Sequence, residues 1–343
     1  MQHRLSPRLL TVSALAALTL LLTAAAPLGY HIVKNVKLTS PNGYYDYIVR
    51  DVPNNRLYVS NGNQVHVLNL TTQAVVGRIG GFGRMHGIAI SDKDGHGFIT
   101  DDSTKSVVEF DIHTLKKIKS IPAAEDVDGI IYDPATDRVF AFCGDAHKAF
   151  AINAETGAVD KDMDLGGKPE YAVSDRQGHV FNVLADINYL LDIDSKNLTI
   201  VHRYPLAPCG DPTGVDMDRQ HRRIVIGCRS GIMIVVNADN GKIVYQHKIG
   251  ALADAARFDP KTQLAFVSVG QGMIHVFHED APDSYTYKGA IQTENGMRTM
   301  EIDPRDGTLF TDGSKLQGPP IEKIGQKPGA PIPNTFHLLV IKN

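Results

Sequence analysis

The sequence predicts an all-β fold: a single seven-bladed β-propeller whose last blade is closed by a strand from the N-terminus. Three observations predict it. Residues 56–70, RLYVSNGNQVHVLNL, read as two short strands around a tight Asn-Gly-Asn turn. Apolar and polar residues alternate on both sides (Leu57 and Val59, then Val65 and Val67), which is the period of a half-buried strand, and Asn-Gly is a strong hairpin signal. The same arrangement returns about every 42 residues along the chain. Finally, seven opening strands can be counted, at 47–51, 87–91, 129–133, 170–174, 213–217, 255–259 and 299–303. A four-stranded unit cannot bury both of its faces alone, so each must stack on its neighbours around an axis. A β-sandwich or two smaller domains would not require so regular a spacing.

In chain order, the N-terminus reads as an export signal. Arg4 and Arg8 precede an apolar run over 9–26 that ends in Thr23-Ala24-Ala25-Ala26, small residues of the kind signal peptidase accepts. Cleavage after Ala25 or further on and retention as an anchor both fit; a lipid anchor does not, because no Cys lies beside the cut. Residues 1–26 are therefore expected to be the signal and 27–343 one propeller domain, placed in the periplasm or secreted. That is an oxidising compartment, where disulfides persist. The only cysteines are Cys143, Cys209 and Cys228, so at most one bridge forms within the chain.

Each unit then runs through a second strand (57–60 in the first), a third after a short polar turn, and a fourth, as at 75–79, 115–121 and 159–165. Between the third and fourth strands an Asx residue recurs: Asn69, Asp111, Asn153, Asp194 and Asn237. Their side chains are expected to bond backbone N–H groups two residues on and so close a turn, not to form a ladder of ligands. Thr72, Thr114 and Thr156 recur three residues further on, as one reused turn would have it. The seventh unit ends with a third strand at 336–342, and residues 31–38 are a spare strand that would pair with it, removing an open edge.

The phrase Arg-Leu-Tyr-Val-Ser-Asn at 56–61, followed by a third strand and its Asx-x-x-Thr turn, resembles the YVTN-repeat, YncE-like family of seven-bladed propellers. The likeness runs over nearly the whole mature chain. It is strong in the first unit, while 137–143 and 263–269 keep the pattern without the letters. The resemblance implies an exported propeller that acts as a binding or interaction protein. Single-stranded DNA binding is associated with a family member, but no specific motif here matches it. A net charge of −3 also offers no basic face, so nucleic acid is not an expected partner.

The residue five before the end of each opening strand should repeat around one mouth of the axis: Asp46, His86, Asp128, Pro169, Pro212, Asp254 and Arg298. Ionisable groups converging on a funnel with low-dielectric walls focus field and perturb pKa values. Arg298 would clamp a carboxylate or phosphate with its planar fork. Asp46, Asp128 and Asp254 would hold a hard cation such as calcium, or amine and hydroxyl groups. His86 would act as acid, base or ligand. Tyr45 and Glu170 flank ring positions and complete the expected ligand-binding set. The plainer alternative is a channel lined by polar residues because it is wet. Asp101, Asp102, Asp145, His147, Asp186, Arg229 and Gln271 fall on loops at the same end and are expected mostly to be solvated.

Cys209 enters blade five and Cys228 ends its second strand, so a bridge between them is expected, leaving Cys143 as a thiol. Residues 314–334, SKLQGPPIEKIGQKPGAPIPN, are too rich in proline and glycine for helix or strand and read as a lid over the mouth or as a surface excursion. Asp92-Lys-Asp94-Gly95 lacks the later ligands of a calcium loop and reads as a hairpin turn. His275 and His278 sit three apart on a strand and so face opposite sides. No cofactor motif is present. The function expected is a scaffold binding a small ligand or a partner protein at the axial mouth, with no catalytic residue assigned. A metal-dependent hydrolase or lactonase using the same mouth is the alternative.

Overall fold

In the computed structural model, which describes residues 29–343, seven four-stranded antiparallel sheets stand around an axis with the first strand of each innermost. The export-signal expectation falls outside the described residues. Among the described residues no helix is long and apolar enough to cross a membrane.

Within a blade the strands follow chain order, as in Ile48–Asp51, Arg56–Asn61, Gln64–Asn69 and Val75–Gly80. The middle strands are buried on both faces between neighbouring blades; Arg223–Cys228 and Leu264–Val269 are buried at every position. Fourth strands such as Lys117–Pro122 meet solvent and bury little more than one residue, Ile121. The apolar clusters accordingly lie between blades. Tyr58, Val65 and Val67 of blade one pack with Ile88, Ile99 and Phe110 of blade two.

The seventh blade has the strand order His31–Lys37, His337–Lys342, Thr308–Gly313, Thr299–Asp303. The N-terminal strand pairs antiparallel from His31 opposite Lys342 to Lys37 opposite His337, and so supplies the missing outer strand.

The turns between third and fourth strands behave as one unit. Asn69 Oδ1 accepts from the backbone N–H of Thr71 and Thr72 at 3.0 and 2.9 Å, and Asp111 and Asn153 repeat the contact with Thr114 and Thr156. Each turn then needs one residue with positive φ: Gln73, Leu115, Gly157, Leu198 and Gly241. The Asx side chain fixes the turn strongly enough that the following position is glycine in only two of the five.

Five opening strands carry a bulge near their inner end, between Met85 and Ile88, Val127 and Ile130, Pro169 and Ala172, Pro212 and Val215, and Ala253 and Ala256. The bulge turns one side chain toward the axis. It also brings the next blade's backbone close. A Cβ on Gly87 would lie 2.6 Å from the Asp128 carbonyl oxygen, and one on Gly214 would lie 2.5 Å from that of Asp254. Only glycine fits at these two positions.

Candidate functional site

The bulges correct two members of the expected ring. Met85, Val127, Pro169, Pro212 and Ala253 all hold the same pairing position, opposite the end of their second strands. The residue after each is the ring member, so blades four and five contribute Glu170 and Thr213, not Pro169 and Pro212. The reason is local. The first strand of blade five ends at Asp218, and in blade four Asp175 still pairs through its N–H with His179. Counting from Ser174 and Met217 therefore starts one residue early.

The ring divides into two halves. In blades one to three, His86 is buried with Nδ1 2.7 Å from Asp46 Oδ2 and 3.6 Å from Asp128 Oδ1. Tyr44 donates its hydroxyl to Asp46 Oδ2 at 3.3 Å and meets the imidazole edge to face. Burial works against charge on His86, but Asp128 and Asp46 outweigh it and hold its pKa up at about 9. In blades five to seven, Asp254 lies 3.2 Å from Arg298 Nε and 3.5 Å from Arg229 Nη2. The Arg298 guanidinium sits 5.4 Å from the centre of the Tyr45 ring, whose hydroxyl donates to the Gly296 carbonyl. Asp254 is thus engaged by two arginines, while Asp46 and Asp128 share His86. The three carboxylates expected to act together are held apart by their partners.

Between the halves lie Asp128 and Glu170. Neither carboxyl accepts a hydrogen bond among the described residues. A third of the Asp128 side chain is exposed, yet it sits within the funnel, where the surrounding protein removes most of its water. Burial pushes its pKa up to about 7 against the pull of His86, and pushes Glu170 up to about 8 against Arg229.

Sequence reasoning missed the groups that hold the ring in place. Thr100 accepts from Gly87 N–H and donates to the Asp128 carbonyl at 2.8 Å; Ser268 donates to the Arg298 carbonyl. Asn182 donates to the Glu170 carbonyl at 2.9 Å. Asp312 accepts from the Thr299 hydroxyl and is fully buried, which pushes its pKa far above the usual carboxylate range. Ser60, Thr100, Ser268 and Asp312 each stand four residues into a second strand's register, a recurrence that was available in the sequence.

The loop residues at this end mostly build the loops. Asp101 accepts from the N–H groups of Gly83 and Arg84, Asp186 from that of Lys168, and Asp145 pairs with Lys168 Nζ at 3.0 Å. Asp102 pairs with Arg84, and Gln271 donates to the Glu322 carbonyl. Residues 314–334 join them. Asn295 exchanges two hydrogen bonds of 3.0 Å with the Ile321 backbone, Ile321 is buried, and Ile324 lies against Gly231 of blade five. The insertion is therefore pinned across blades six and five at the ring end. Cys209 and Cys228 are bridged with Cα atoms 5.7 Å apart, and Cys143 is a buried thiol whose pKa burial raises to about 11.

One layer below the ring, Tyr47 and Tyr171 stack across the axis with ring centroids 4.6 Å apart. Beneath them a cavity of about 700 Å³ opens between the turns joining first and second strands, at the end opposite the ring.

Fold and site together define a class: a seven-bladed propeller with a charged axial ring. No family model matches the sequence, and no curated protein does. Among solved structures the chain is similar to hydrazine synthase of Kuenenia stuttgartiensis, at 15% identity and a TM-score of 0.70, covering 80% of this chain and 94% of that one. At that identity the likeness concerns the fold.

Proposed function

We propose that the protein is an exported propeller scaffold of the YVTN-repeat, YncE-like kind, which binds a small ligand through a cationic group at the ring mouth. The observation that carries this reading is the state of Asp128 and Glu170: two adjacent, axis-facing carboxyl groups without a hydrogen-bond donor. A bound amine or divalent cation would supply what they lack and would drive off the protons that burial keeps on them. His86 beside Asp128 and Arg229 beside Glu170 bracket the pair and would reject a ligand carrying a second cation on either side. The test is calorimetry with calcium and with an alkyl monoamine at pH 6 and pH 8. Binding should be tighter at pH 8, should release protons, and should vanish in the Asp128→Asn, Glu170→Gln double variant. Equal heats in the double variant would sink the reading.

A second reading, a metal-dependent hydrolase or lactonase at the same mouth, is supported by one observation. The donor atoms of Asp46, His86 and Asp128 lie within 4.8 Å of one another. His86 would have to give up its proton to ligate. Stoichiometric metal after purification, together with lactone hydrolysis that a chelator abolishes, would favour it; bound ligand without turnover would favour the scaffold.

A further inference from the structure

We propose that the cavity at the opposite end of the channel is a second binding site, for a small organic anion with an apolar body. Its volume of about 700 Å³ lies within the range of small-molecule sites. Val49, Ile88, Ile130 and Val215 line its walls, and the Tyr47–Tyr171 stack closes its inner end. Into it project four arginines from four blades: Arg50, Arg176, Arg219 and Arg257.

These guanidiniums are under-neutralised. Glu301 is shared by Arg50 and by Arg257, whose Nε is 3.1 Å away. Asp216 is the other inner carboxylate, and both of its oxygens accept backbone N–H groups, from Met217 at 2.8 Å and Phe258 at 2.9 Å. Its nearest approach to Arg219 is 3.9 Å. At the rim, Lys93 is paired with Asp137, and burial beside Asp51 pushes Asp92 up to about 6. Arg219 is fixed by the carbonyls of Ser174 and Met217 through Nε and Nη1, and Arg176 makes no side-chain hydrogen bond or ion pair among the described residues. Burial lowers the pKa of Arg219 against the pull of Asp216, and the neighbouring Arg176 and Arg50 add to that lowering.

Converging arginines in a partly dry cavity are costly to fold unless an anion completes them. A carboxylate, sulfonate or phosphate group would take their free N–H groups in charge-assisted bonds, while the apolar walls take its body. The tyrosine stack isolates this site from the ring, so the inference does not rest on the function proposed above.

The test is titration of the full chain with anilinonaphthalene sulfonate, followed by fluorescence. Saturable binding of one dye per chain is expected. Arg219→Gln and Arg176→Gln should each weaken it about tenfold, the worth of one charge-assisted bond. Arg176→Gln removes no folded-state bond, so it reports on binding even if Arg219→Gln unfolds. The uncharged parent anilinonaphthalene should bind far more weakly, and the Asp128→Asn, Glu170→Gln variant should bind the dye normally. Absence of saturable binding, affinity unchanged in folded Arg176→Gln, or equal binding of the uncharged parent would overturn the proposal.

Discussion

Tyr47 of blade one and Tyr171 of blade four lie face to face across the propeller axis, their rings 4.6 Å apart and inclined by 26°. They fit because the same layer is glycine in three other blades, at Gly87, Gly129 and Gly214. The pair divides the channel into an acidic-rimmed funnel above and an arginine-lined cavity below.

Truncating Tyr171 to Ala should therefore do two things. It removes a large buried ring and should cost about 3–5 kcal/mol in chemical denaturation, as large aromatic deletions do. It should also join the two compartments, so that binding in one alters affinity in the other. A loss below about 1 kcal/mol would mean that Tyr47 alone fills the layer.

Asp128, Glu170 and His86 should lower stability as pH rises from about 5 to 9. Asp128 and Glu170 have folded pKa values raised to about 7 and about 8, so the stability tied to their neutral forms is complete below the unfolded carboxylate range, is lost progressively as pH rises from there, and is gone once pH has passed those values. His86, raised to about 9, contributes fully below its unfolded value and loses that contribution as pH rises through 9. All three act in the same direction. Tm measured across this window should decline, and Asp128→Asn should flatten the part below pH 7. A Tm that rises toward pH 9 would contradict the assignment.

The Cys209–Cys228 bridge closes a loop with a sequence separation of 19. Loop-closure entropy assigns such a bridge about 3 kcal/mol. The Cys209→Ser, Cys228→Ser variant should lose roughly that much in denaturant midpoint experiments, whereas Cys143→Ser should respond to its burial and not to reductant.

Deleting residues 31–37 should expose the edge of the His337–Lys342 strand, which otherwise has a partner along its whole length. Unpaired edges recruit other chains. Size-exclusion chromatography should show larger species or aggregate than the intact chain gives, and adding the missing segment as a peptide should restore the elution of the intact chain.

Much of the fold was legible because its information is local. Alternation marks a strand, Asn-Gly marks a hairpin, and Asn69 or Asp111 closes a turn with its own neighbours. The spare strand at the N-terminus was legible by arithmetic, since a seventh unit with three strands needs a fourth. The site was legible only in outline. Glu170 was seen as a flanking residue and Thr213 was missed, because the bulges that place them depend on pairing with a second strand, and no letter announces a bulge. The lower cavity has its own signal in the sequence: the residue after each opening strand's terminal acid or its equivalent runs Val52, Asp92, Pro134, Arg176, Arg219, Pro260 and Pro304. Two arginines there, with Arg257 and Glu301 two residues before their strand ends, face one another only once the ring closes.

By itself, the sequence determined the number of blades, their strands and turns, and five of the seven residues of the axial ring. Those follow from short-range periodicity and turn chemistry. Only the tertiary structure decided that His86 joins Asp46 to Asp128, that two arginines hold Asp254, that Asp128 and Glu170 stay without donors, and that two tyrosines split the channel. Those are contacts between different blades, from 25 residues apart for Arg229 and Asp254 upward, and their strengths depend on how much water the closed ring excludes.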